Sequence, residues 1–159
     1  MPTIPRIYLD TCALIRLFDE GSQPRVRAES QAVEEFFALV FQDTVRWIVS
    51  EVLEAEILNN HYSEERPEVL ELLAFSAERI VLTDEAIQRA DDLEKLGYET
   101  FDALHLASAE QARVDSLLTT DDRFMRRVRR GLGQSVLSNP KMSLKEAKGW
   151  RSGFCPFGF

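Results

Sequence analysis

Three observations predict an α/β fold: a central, mainly parallel five-stranded sheet with helices on both faces, a three-layer sandwich. Short β-rich runs alternate with segments of helical periodicity along the chain, which is the pattern of βαβ units. Several of those runs end in an acid or a hydroxyl that suits the start of a helix. The length of 159 residues fits one domain, and a domain of that size buries roughly 70% of the surface its unfolded chain exposes.

The first run, Ile7-Tyr8-Leu9-Asp10-Thr11, delivers a carboxylate just before helical spacing begins at Ala13, Leu14, Ile15, Leu17 and Phe18. It reads as a strand that stops where a helix starts, with Asp10 or Thr11 as N-cap. From Arg25 to about Phe41, Val26, Val33, Phe36, Phe37, Leu39 and Val40 recur at helical spacing opposite Glu29, Glu34 and Glu35, so this is a long amphipathic helix. Arg46-Trp47-Ile48-Val49 is the second strand, and Ser50 suits the cap of a helix running to about Asn60. Asn59 to Ser63 breaks that helix, and Pro67 suits the first turn of the next, through Leu70, Leu72, Leu73 and Phe75.

Arg79-Ile80-Val81-Leu82 predicts a third strand, with Thr83 or Asp84 capping a helix that stops near Gly97. Thr100 is the expected cap of a helix over Phe101 to about Arg113. Ser116-Leu117-Leu118-Thr119 is the fourth strand, and an arginine-rich helix follows Thr120-Asp121 and closes at Gly131 and Gly133. Ser135-Val136-Leu137-Ser138 supplies a short fifth strand, followed beyond Pro140 by a short helix around Ser143 to Lys148. The expected organisation is a single domain over 1–150 and a tail of Gly and aromatic residues over 151–159.

Hydrophobic residues at 45% and charged ones at 29% are those of a soluble globular protein. No run approaches membrane-spanning length, and the N-terminus lacks the basic flank and apolar core of a signal peptide, so the expectation is a cytoplasmic protein with no membrane partner. Cys12 and Cys155 match no metal spacing and are expected to be reduced, structural thiols. A net charge of -8 argues against holding nucleic acid by bulk positive potential. One basic patch stands out locally: Arg123, Arg126, Arg127, Arg129 and Arg130.

In an open parallel sheet the C-terminal ends of the strands share one edge, so acids placed after different strands converge there. Asp10 follows the first strand and Asp121 the fourth, where Asp122 competes with it; both Asp10 and Asp121 also have a plain capping role. At about 100° per residue, Glu56 falls among Val52, Leu53 and Ile57, on a core-facing stripe or at its wet edge, whereas Glu51 and Glu54 point away. Asp102 is the acid of an otherwise apolar or small stretch broken only by His105, in a first turn where it also complements the helix dipole. Carboxylates gathered within a few ångströms repel one another unless hard cations lie between them, and Mg²⁺ or Mn²⁺ suits an oxygen-only donor set. Zinc does not suit it: His61, His105, Cys12 and Cys155 form no nitrogen and sulfur set. There is no nucleophile elbow, no Walker A sequence and no GxGxxG. A phosphoaspartyl receiver-like site would use an acid after the first strand and a basic residue near the last, where Lys141 lies. It also needs acids paired near Asp10, and these are missing.

Four pieces in order resemble the PIN domain, and in particular the VapC-type toxins of toxin-antitoxin pairs. They are Tyr8-Leu9-Asp10-Thr11, Ser50 with Glu56, Phe101-Asp102-Ala103-Leu104-His105-Leu106-Ala107-Ser108-Ala109, and Leu118-Thr119-Thr120-Asp121-Asp122-Arg123-Phe124; Val136 to Pro140 resembles the family's last strand. The resemblance implies a metal-dependent ribonuclease using Mg²⁺ or Mn²⁺. Asp10, Glu56, Asp102 and Asp121 would be its acidic cluster and metal ligands, and Thr119 or Thr120 a hydroxyl near the metal, with Glu54 and Asp122 as second choices. It further implies an RNA substrate cut to a 5′-phosphate and a 3′-hydroxyl, a small antitoxin as partner in a type II pair, and a homodimer. The long second helix and the aromatic tail depart from the family's usual pattern. The rival expectation is a PIN-fold module that binds RNA or protein without turnover.

Overall fold

The computed structural model describes residues 3–19, 21–59, 66–130 and 137–138. Five strands form one parallel sheet: β1 (Arg6–Leu9), β2 (Arg46–Ser50), β3 (Glu78–Ile80), β4 (Ser116–Leu118) and β5 (Leu137–Ser138), in the order β3-β2-β1-β4-β5. Central β1 pairs Tyr8 with Ile48 of β2 on one side and with Leu117 of β4 on the other. Chain order reverses across β1, since β2 and β3 lie to one side and β4 and β5 to the other. The crevice between the ends of β1 and β4 is therefore the switch point at which open α/β sheets hold ligands.

The period-2 alternation of the strands feeds two cores. Ile7, Leu9, Trp47, Val49 and Leu118 face one layer, where they pack with Leu14, Val33, Phe36, Phe37 and Leu53. That layer draws on α1 (Thr11–Ile15), α2 (Pro24–Phe41), α3 (Glu51–Asn59) and α4 (Arg66–Leu72). Tyr8, Ile48, Ile80 and Leu117 face the other layer and pack with Leu93, Leu106, Phe124 and Val128. Those residues belong to α5 (Asp84–Lys95), α6 (Thr100–Ala112) and α7 (Asp122–Arg129). Both sheet faces are covered, which is the three-layer sandwich that alternating strands and helices require.

Local signals set most boundaries. Pro24 opens α2, where its missing N–H leaves no bond unmade. Thr83 accepts from Ala86 N at 3.2 Å and so is the cap of α5, ahead of Asp84. Gly97, at φ +101°, takes the chain out of α5 through a backbone shape that L side chains rarely adopt. Three expectations need correction. The helix after β1 is only one α turn, continued by a 3₁₀ turn over Arg16–Phe18. Strand β3 begins at Glu78 and ends at Ile80, because its ladder partners are Ile48 to Ser50, leaving Val81 and Leu82 outside the sheet. Thr100 is the first residue of α6 rather than its cap; Glu99 holds the cap position without a side-chain bond. The readings at His61, Gly131, Gly133, Ser135, Val136, Lys141, Ser143 to Lys148, Cys155 and the 151–159 tail lie outside the described residues.

Candidate active site

Asp10 stands directly after β1 and is 2% exposed. It is also the cap the sequence allowed: Oδ1 accepts from Ala13 N at 2.9 Å, which settles the choice over Thr11. Its other oxygen accepts from the Thr119 hydroxyl just beyond β4. Thr119 Oγ1 in turn accepts from Asp121 N at 3.0 Å, so one hydroxyl ties the ends of β1 and β4 together across the switch point. Thr120 has no such part. Its side chain is buried, and its carbonyl accepts from Arg25 Nη2 at 3.2 Å.

Asp121 caps α7 through Oδ1, which accepts from Arg123 N at 2.8 Å and Phe124 N at 3.2 Å. Asp102 lies in the first turn of α6, half-buried, without a hydrogen bond or ion pair among the described residues. Glu56 sits at the wet edge of the α3 stripe, its side chain 16% exposed, and accepts from His105 Nε2 at 3.0 Å. Both runner-up acids are neutralised elsewhere. Arg79 binds Glu54 with two nitrogens, at 2.6 and 2.9 Å, and Arg25 binds Asp122 with two, at 2.7 and 2.8 Å.

The carboxyl groups of the crevice feel one another. Burial pushes Asp102 up to about 7, reinforced by the charges of Asp121 and Asp10. Burial pushes Asp10 up to about 6, with Glu56 adding to it and with His105, the Thr119 hydroxyl and the Ala13 N–H opposing. Cys12 registers all four acids: desolvation first, then Asp10, Glu56, Asp121 and Asp102, raise its thiol although the residue retains solvent contact. That thiol forms no disulfide. The charge of each of the four acids thus reaches Cys12, yet among the described residues no three His, Cys, Asp or Glu side chains are already gathered as a metal-holding set. The donors are carboxylate oxygens, two of which, on Asp10 and Asp102, are raised chiefly by burial, and no Lys or Arg is paired to Asp10, Asp102 or Asp121 among the described residues, which is the chemistry a hard divalent cation satisfies.

What the sequence does not disclose is that Tyr8, Ser50 and His105 are joined by buried hydrogen bonds beneath Glu56, although Ser50 is also the expected cap of α3. Tyr8 looks like any aromatic of a strand. His105 was visible as a polar residue in an apolar helix, and nothing local named its partners.

No helix among the described residues is long and apolar enough to cross a membrane. No curated protein matches the chain. Among solved structures, VapBC2 from Rickettsia felis bound to a DNA fragment from their promoter is similar at TM-score 0.56 and 16% identity, covering 84% of this chain and 98% of that one. FitAcB from Neisseria gonorrhoeae is similar at TM-score 0.55 and 17% identity, covering 84% and 97%. At such identities the likeness is one of fold. A comparison of families matches residues 7–130 to the PIN domain, a span that runs from β1 past α7 and includes all four acids. The chain belongs to the PIN domain family.

Proposed function

We propose that this protein is a divalent-metal-dependent ribonuclease acting in the cytoplasm as the toxin of a type II toxin-antitoxin pair. Its catalytic domain would span 1–150, with 151–159 as a tail. The observation that carries the reading is the pair Asp10 and Asp121, tied through Thr119 across the β1/β4 switch point, with no guanidinium or ammonium paired to Asp10, Asp102 or Asp121 among the described residues.

Asp10, Glu56, Asp102 and Asp121 would hold Mg²⁺ or Mn²⁺. Such a cation, when bound, acidifies water and stabilises charge on a phosphate. The chain's own residues do the positioning. Thr119 and the Ala13 N–H fix both oxygens of Asp10, and a residue anchored at both oxygens presents its remaining lone pairs in one direction. Asp121 is held by two backbone donors at the start of α7, both on Oδ1, which leaves Oδ2 without a partner among the described residues. Excess negative charge at the crevice repels RNA until it is neutralised, so cation binding and substrate binding are coupled. The exposed Arg126, Arg129 and Arg130, unpaired among the described residues, would draw the RNA backbone towards Asp121. Arg127 is less suited, being half-buried with Nη1 enclosed beside Gly97. Hydrolysis would leave a 5′-phosphate and a 3′-hydroxyl. The likeness to the VapBC2 and FitAcB complexes supports a small antitoxin partner, and the toxin itself would be a homodimer.

The deciding experiment incubates purified protein with a mixed RNA pool and Mn²⁺, beside Asp10→Asn. Cleavage by the parent and none by the folded variant supports the nuclease. Metal uptake without cleavage by either protein would leave a PIN-fold binding module as the correct reading.

A further inference from the structure

Beneath the crevice lies a file of polar side chains that the metal reading does not use. Tyr8 Oη is 2.7 Å from Ser50 Oγ and 2.6 Å from His105 Nδ1, and His105 Nε2 is 3.0 Å from Glu56 Oε2. Tyr8, Ser50 and His105 are all essentially without solvent contact. Such groups need every proton and lone pair placed, since a buried polar group left unpaired is costly.

That requirement fixes the direction of the bonds. An ionised Glu56 only accepts, so His105 Nε2 carries a hydrogen and donates to it. Ser50 Oγ already accepts from Leu53 N at 3.3 Å, at the start of α3. If Nδ1 also carried a hydrogen, Tyr8 would accept from it and donate to Ser50 at 2.7 Å rather than to Ser108, a weaker hydroxyl neighbour. The fully buried Ser50 hydroxyl hydrogen would then have no acceptor among the described residues. With Nδ1 bare, Ser50 donates to Tyr8, Tyr8 donates to His105, and His105 donates to Glu56, and no hydrogen is left over. Thr11 Oγ1, 3.4 Å from Nε2, is a weaker second neighbour of the same hydrogen.

We infer that Ser50, Tyr8 and His105 form a one-way hydrogen-bond chain that locks His105 in the Nε2–H tautomer and so aims the Glu56 carboxylate into the crevice, making Tyr8 and His105 positioning residues for the site. The inference rests on Glu56 being a corner of that site. Tyr8 and Ser50 come from adjacent strands, while His105 and Glu56 come from α6 and α3, so the chain links the rigid sheet to a crevice acid that no backbone donor holds among the described residues.

Two measurements on the full-length protein test this. The sequence has only two histidines, His61 and His105, so ¹⁵N-histidine NMR of metal-free protein near neutral pH reads the tautomer directly, with His105→Asn assigning the signals. The expected result is Nε2–H for His105 and a mixture of tautomers in Tyr8→Phe. An Nδ1–H or doubly protonated ring in the parent, or no change in Tyr8→Phe, overturns the inference.

The second measurement is Mn²⁺ affinity by calorimetry together with RNA cleavage kinetics. His105→Gln can place an amide N–H where Nε2 stood, whereas His105→Asn places one where Nδ1 stood. The glutamine variant should stay near parental affinity. The asparagine variant should lose roughly 10–100-fold in affinity and kcat with KM unchanged, the range seen when a ligand's orienting partner is removed. Equal losses in the two variants, following equal falls in melting temperature, would make the chain a matter of packing and overturn the inference. A parent protein that neither binds Mn²⁺ nor cuts RNA would overturn the nuclease reading instead, while the tautomer would still decide whether the chain exists.

Discussion

Acids sit in two electrostatic settings in this molecule. On the flanks four acids hold guanidinium groups: Glu29 holds Arg16 at 2.7 Å and Arg25 at 2.6 Å, Glu54 holds Arg79 at 2.6 Å, Glu110 holds Arg89 at 3.0 Å, and Asp122 holds Arg25 at 2.7 Å. Around the crevice Asp10, Asp102 and Asp121 have backbone amides, a hydroxyl, or nothing among the described residues. The pKa directions follow the partners. Arg79 holds Glu54 below its ordinary value and Arg25 does the same for Asp122, while Asp10 rises to about 6 and Asp102 to about 7. The same residue type is therefore a fastener in one place and a group whose charge the fold disfavours in the other.

The largest expected effect separates the two settings by chemistry. Asp10→Asn should lower cleavage of RNA by more than about 100-fold, beyond what loss of a merely orienting residue causes. Glu110→Gln should leave turnover unchanged. Equal cleavage by Asp10→Asn and the parent would put Asp10 back among ordinary helix caps.

Stability should move in opposite directions. Keeping Asp10 ionised at neutral pH costs about 3 kcal/mol for a rise from 3.8 to about 6. Asp10→Asn in metal-free protein should accordingly gain stability, by about 1–3 kcal/mol in urea denaturation. Glu29, 3% exposed, is the converse: Glu29→Gln should lose about 2 kcal/mol with its charge-assisted bonds to Arg16 and Arg25. A stability loss of similar size in both variants would erase the distinction.

The pH dependence carries the same contrast. A carboxyl whose folded pKa is raised favours the folded state below its unfolded value, and that contribution is lost as pH rises through the folded value. Asp10 and Asp102, raised from 3.8 to about 6 and about 7, should therefore weaken metal-free protein between about pH 4 and pH 7. Glu54 and Asp122, depressed by their arginines, contribute stability above their unfolded values and lose it only on acidification. If Asp10 and Asp102 hold Mn²⁺ as proposed, the ion has to displace their protons, so its thermal stabilisation should be small at about pH 5.5 and large at about pH 8. A shift independent of pH would mean that the cation binds elsewhere.

Smaller effects lie on the surface. Reversing the charge of Arg126 and Arg129 should raise KM for RNA several-fold at low salt and less at high salt, since exposed charges act through screened fields. An unchanged KM would return them to a solvated helix face. Least of all, Glu54→Gln should cost under about 1 kcal/mol, because its bond to Arg79 joins two largely solvated groups.

Much of the fold was legible in the residues because its signals are local. Period-2 runs at Ile7 to Leu9 and Trp47 to Val49 fed two cores as alternation demands. Thr83 and Gly97 marked the ends of α5 through a cap bond and a positive φ. Where the reading slipped, the cause was tertiary. β3 ends at Ile80 because the ladder to β2 ends at Ser50, although Val81 and Leu82 are as β-prone as their neighbours. Thr100 gave way to Glu99 because the α6 backbone begins one residue earlier, even without a side-chain bond there.

The sequence by itself determined the α/β class, the element order and the placement of acids just after β1 and β4, since periodicity and capping are properties of neighbours in the chain. Choices between adjacent candidates belonged to the tertiary structure. Thr119 was selected over Thr120 by a bond to Asp10 across 109 positions, and Asp122 was removed from the crevice by Arg25 across 97. Glu54 was removed by Arg79 across 25 positions, and Tyr8 was joined to His105 across 97. The physical reason is common to all four. Hydrogen bonds and charge pairs depend on distance through space, which the fold sets and separation along the chain does not.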